Sequence, residues 1–113
     1  MVIKYSILII FLYLFVSKNS FPIESALHEA ELAKCLGIFM TIKNNDFNYN
    51  HKEIAINTLT IYKDKIERLK WNEMTKEMSD KGAETILNYN KKNLNTEIKN
   101  LLNSCIMTFR VGN

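Results

Sequence analysis

Apolar residues recur at three- and four-residue steps in three separate stretches of the chain, the period of a helix with one buried side. In the first stretch, Glu24 to Lys43, one stripe holds Ile23, Ala26, Leu27, Ala30, Ala33, Gly37 and Met40. A second stripe beside it holds Leu32, Cys35, Phe39 and Ile42. The polar residues Glu24, His28, Glu29, Glu31 and Lys34 are confined to the N-terminal half, so Leu36 to Ile42 is apolar nearly all round. A helix apolar on every side must be surrounded. This segment is therefore predicted as the central helix, with Cys35 near its middle.

Asn44 to His51 follows, rich in residues whose side chains compete with the helical backbone, and is predicted as a connection. Phe47 and Tyr49 are expected to pin it, and His51 to be a solvated connector. The second helical pattern runs Ala55, Leu59, Tyr62, Ile66 and Leu69. Lys63, Asp64, Lys65, Glu67, Arg68 and Lys70 take its other side and are expected to form helix-surface pairs. Continuing that phase would bury Glu73 and Lys76, whereas the apolar residues move to Trp71, Met74 and Met78. Two breaks compete: one near residue 71, with Asn72 as cap, and one at Ser79-Asp80-Lys81-Gly82, which carries turn chemistry. Either leaves two helices between His51 and Asn90.

Asn88 to Asn95 is predicted as a second polar connection. The last helix repeats Leu94, Ile98, Leu101, Cys105 and Phe109, widened by Leu102 and Ile106, with Gly112 as its stop. No strand alternation and no internal repeat is present. The pattern predicts an all-α fold, a small four-helix up-and-down bundle, with Leu32, Leu36, Leu59, Ile66, Ile98 and Leu101 in its core.

The N-terminus changes the picture. Lys4 precedes an uncharged run from Tyr5 to Val16, followed by the polar Ser17, Lys18, Asn19 and Ser20. This is the pattern of a secretory signal peptide. Twelve helical residues rise only about 18 Å, short of a hydrocarbon core of roughly 30 Å. The competing reading is an uncleaved anchor or a buried helix. Residues 1–20 are thus expected to be a signal peptide, with cleavage as late as about residue 25, and residues 23–113 a single helical domain without a membrane span. The expected location is the periplasm or outside the cell. Lys34 before Cys35 rejects a lipoprotein box.

Charge follows from the same division. The full chain has 15 Lys plus Arg against 12 Asp plus Glu, and Lys4 and Lys18 leave with the signal. A domain with net charge near +1 offers no electrostatic footprint for nucleic acid. None of the asparagines begins a glycosylation sequon.

Candidate chemistry is sparse. The two cysteines, Cys35 and Cys105, each lie on an apolar stripe, one in the first helix and one in the last. In an exported chain they are expected to form a disulfide; the alternative is two buried thiols acting as small hydrophobes. There is no Cys-x-x-Cys for redox chemistry and no Cys-x-x-Cys-His for haem. His28 with Glu24 and Glu31 is read as a solvated face, since no second Glu-x-x-His supplies the rest of a bundle metal site. No Gly-x-Ser-x-Gly and no phosphate-cradling loop occurs. No catalytic residue, metal site or cofactor is predicted.

Trp71, Met74 and Met78 form an apolar cluster with two readings. Met-rich surfaces adapt to partners, and apolar stripes ordinarily face inward. The layout resembles small exported bacterial helical proteins with one cysteine early and one in the last helix, a likeness that implies no activity. The function expected is a structural or protein-interaction module stabilised by one disulfide, not an enzyme, with an unidentified protein partner. The alternative is a carrier of a small ligand or cofactor between the helices. Pattern alone leaves the oligomeric state open.

Overall fold

Residues 26–111 of the computed structural model are described; they contain five α-helices and no strand. The predicted signal peptide, Ile23, Glu24 and Gly112 lie outside the described residues. Helix α1 covers residues 26–44, followed by α2 (Tyr49–Ile61), α3 (Lys63–Glu67), α4 (Glu73–Lys91) and α5 (Asn95–Arg110). Helices α2 and α3 form one arm broken at Tyr62, whose backbone (φ −103°, ψ 23°) leaves the helical region. Hydrogen bonds from Tyr62 N to Thr58 O and from Ile66 N to Tyr62 O carry the chain across this break. With that arm counted once, the fold is a four-helix bundle.

The helices alternate in direction. The first turns of α2 and α5 line one depression. Farther along the same pair, the rings of Tyr62 and Phe109 stack at 5.5 Å, so these arms run the same way. His28 and Glu31 near the start of α1 line one depression with Ser104, Met107 and Thr108 near the end of α5 and its cap Val111, so α1 runs opposite to α5. The Asn90 amide near the end of α4 donates to the Asp46 carbonyl just beyond α1, at 3.1 Å, so α1 and α4 finish at the same end.

Helix α1 is the centre. Ala33, Cys35, Leu36, Ile38, Phe39 and Ile42 are all buried, joined by Ile86 of α4 and Ile98, Leu102, Cys105 and Phe109 of α5. Phe109 lies between Phe39, at 5.7 Å, and Tyr62, so one ring ties together α1, α5 and the broken arm. Such offset ring pairs add about 0.5–1.5 kcal/mol beyond the area they bury. Of the expected core residues, Leu32, Leu36 and Ile98 are buried, and Leu59, Ile66 and Leu101 are half-buried against them. Leu27 and Met40, expected on the first stripe, are exposed. The buried face takes in Leu32, Cys35, Phe39 and Ile42 of the second stripe together with Ala30, Ala33 and Gly37 of the first, because α5 packs on one side and α4 on the other.

The competing breaks resolve in favour of residue 71. The Asn72 side chain accepts from Thr75 N at 2.9 Å, and Asn72 N donates to Thr75 Oγ1 at 2.8 Å. This reciprocal pair satisfies two N–H groups that the first helical turn leaves open. Ser79 to Gly82 is mid-helix rather than a turn. Gly82 is needed for close packing: a Cβ there would meet the Lys34 carbonyl of α1 and lie 3.2 Å from Ile38 Cγ1.

The second connection is shorter than expected. Helix α4 continues to Lys91, and only residues 92–94 link it to α5. Asn93 takes the left-handed conformation, φ 57°, a region Asn tolerates better than most residues. Leu94 N donates to Tyr89 O at 2.9 Å and Asn93 N to Asn90 O at 3.1 Å, the bond pattern of a Schellman helix stop.

Candidate functional site

Cys35 of α1 and Cys105 of α5 are joined as a disulfide, with Cα atoms 5.4 Å apart and a sequence separation of 70. Both residues are buried. Their bond lies inside the core between two antiparallel helices, where it ties the first helix to the last.

The expected cluster divides. Met78 packs against the core, whereas Trp71 is 54% exposed and Met74 41%. The reason is local. Trp71 precedes the Asn72 cap, the position from which an apolar residue packs onto the fourth residue of the helix. That fourth residue is Lys76, so the indole has no apolar partner there. The linker beneath it is nevertheless fixed, because the fully buried Thr75 places its one hydroxyl proton between Lys70 O and Asn72 O, each at 3.1 Å. Trp71 therefore projects from an anchored backbone.

The same end of the bundle gathers the start of α1, α3 and the end of α5. Lys65 Nζ donates to the carbonyls of Phe109 at 2.6 Å and Val111 at 3.0 Å, meeting carbonyls that the last turn of α5 leaves open. Lys65 thus caps a neighbouring helix rather than serving only its own surface. Leu27 and Val111, both exposed, belong to this end, as do Arg68 and Lys70, which precede Trp71 in the chain.

At the opposite end lies a depression of about 610 Å³, lined by the α2 cap Asn48, by Asn50, His51 and Ile54 of α2 and by Asn95, Thr96, Lys99 and Asn100 of α5. His51 is not the solvated connector expected. It is in the first turn of α2, 7% exposed, with Nε2 buried and without a hydrogen-bond partner. The Asn48 side chain, accepting from Asn50 N at 2.9 Å, starts the helix early enough to turn His51 inward. Tyr49, expected to pin this connection, is instead 75% exposed, and Phe47 alone is buried.

His28 also departs from expectation. It is half-buried, its Nε2 has no partner, and it borders a smaller depression with Glu31, Ser104, Met107, Thr108 and Val111. Glu24 lies outside the described residues. Among the described residues, no group of three His, Cys, Asp or Glu side chains could hold a metal ion, and no helix is long and apolar enough to cross a membrane. No protein family, curated protein or solved structure matches the chain.

Proposed function

We propose that this chain is an exported helical module that engages a protein partner through the end of the bundle bearing Trp71 and Met74. The observation that carries the reading is the exposure of Trp71 on a backbone held by the Asn72–Thr75 pair. A large aromatic side chain on a backbone already fixed in place spares the cost of ordering that backbone on binding, and Trp is enriched at binding hot spots. Export rests on the apolar run behind Lys4, and it accords with a disulfide, which persists outside reducing compartments. In this reading the disulfide and core are a scaffold, and no reaction is carried out.

The test compares the wild-type mature domain with Trp71→Ala and Met74→Ala as bait in the exported fraction of the source organism. A protein retained by the wild type and lost with either variant, while their circular dichroism is unchanged, supports the reading. Equal retention by all three overturns it.

A second reading, a carrier of a small ligand, is favoured by the depression between α2 and α5 with the unpartnered His51 in its wall. Ligand pockets commonly span about 300–1,000 Å³, which includes this volume.

A further inference from the structure

We propose that the depression between the first turns of α2 and α5 binds a small oxyanion, the carboxylate or phosphate group of a small molecule. This rests on the carrier reading and goes past it by naming the ligand chemistry.

Both helices start at the depression, so the positive ends of two helix dipoles and their open N–H groups meet there. The two ends differ in a telling way. Asn48 caps α2 with its side chain, but no side chain caps α5, whose cap position is the apolar Leu94. Leu94 is there because it also completes the stop of α4 through its bond to Tyr89 O. With only residues 92–94 between the helices, one residue serves both ends and brings no acceptor to the second. The early N–H groups of α5 are left for another acceptor, and Asn95 and Thr96 line the depression.

The side chains agree. Lys99 is the one charged residue lining the depression, and none of the eight lining residues is acidic. Asp46, Glu53 and Glu97 are near in sequence but do not line it. Asn50, Asn95 and Asn100 offer amide donors, and Ile54 offers an apolar wall for the body of the ligand. His51 points to a ligand independently. Burying an imidazole nitrogen without a partner is costly, and this one belongs to a residue 7% exposed in the depression's own wall. An oxyanion seated there receives the Lys99 ammonium, the α5 N–H groups and, with a small adjustment of the ring, His51.

The test is a nuclear magnetic resonance titration of the disulfide-bonded domain with inorganic phosphate, with acetate, and with acetamide as an uncharged mimic of acetate. Saturable shifts of the Asn95 and Thr96 amides and the His51 ring with phosphate or acetate, but not acetamide, are expected. Which anion binds more tightly identifies the headgroup. Lys99→Met, at an exposed position, should weaken binding about tenfold, as expected for losing a charged donor. Acetamide moving the same resonances as acetate overturns the oxyanion assignment and leaves the carrier reading standing. No saturable shift with any probe, or shifts untouched by Lys99→Met, overturns the site itself.

Discussion

Gly82 of α4 lies directly against the backbone carbonyl of Lys34 in α1, leaving no room for a side chain between them. The contact is reciprocated: a Cβ on Gly37 would meet the Ser79 carbonyl and sit 2.8 Å from Ser79 Oγ. Two glycines thus let the backbones of α1 and α4 touch.

Gly82→Ala is expected to destabilise the domain although alanine is the better helix former. The propensity gain is about 1 kcal/mol, and overpacking typically costs about 1–3 kcal/mol. The methyl here faces a carbonyl and Ile38 Cγ1 rather than a flexible side-chain tip, so the steric loss wins. Urea unfolding of Gly82→Ala and Gly37→Ala should show both less stable than the wild type. A stabilised Gly82→Ala would mean that the helices do not approach this closely.

Asn72 and Thr75 make a second measurable pair. Asn72→Ala removes the cap and should cost about 1 kcal/mol. Thr75→Val keeps the shape of a fully buried residue but leaves Asn72 N and Lys70 O without their hydroxyl partner, a loss of about 1–3 kcal/mol. Because the residues bond to each other, the double variant should lose less than the two single losses added together. Strict additivity in chemical denaturation would show that the reciprocal cap is not formed.

The helices were legible because burial imposes a period of three to four residues, and three long segments carry it. What sequence left open came from residues with two uses. Gly82 reads as a turn residue because a missing side chain looks the same whether it frees φ or admits a neighbouring backbone; only the partner, Lys34, distinguishes the cases. Asn88 to Lys91 reads as a connection because Asn favours caps and turns, yet the packing of Ile86 and Tyr89 holds the helix through it. His51 reads as a solvated connector because several asparagines precede it, and only the one that caps, Asn48, sets its direction. Trp71 shares helical spacing with Met74 and Met78, which reads equally as a core stripe; its exposure depends on Lys76 lying where an apolar partner would have covered it.

Removal of the N-terminal segment is expected in the native organism, motivated by the apolar run from Tyr5 to Val16 behind Lys4. N-terminal sequencing and intact mass of protein recovered from the exported fraction should place the start between about residues 21 and 26, within the span where a polar cleavage region follows the apolar core. Native protein beginning at Met1 or Val2 would rule out cleavage and support the anchor alternative.

The disulfide should be the largest single contribution that can be removed without altering the packed surface. Cys35 and Cys105 are separated by 70 residues. Linking them restricts the unfolded chain by about 4 kcal/mol in the loop-entropy description. Small domains retain only about 5–15 kcal/mol in total, and about 1 kcal/mol shifts the melting temperature of a domain this size by roughly 4–8 °C. Reduction should therefore lower the melting temperature by roughly 15 °C or more. Because both residues are buried, reductant should act slowly on the native protein and quickly once denaturant opens the bundle. Cys35→Ala/Cys105→Ala separates the crosslink from the reagent: it should melt near the reduced wild type and keep the same helical circular dichroism at low temperature. A double variant as stable as the oxidised protein would show that the core alone holds α1 against α5.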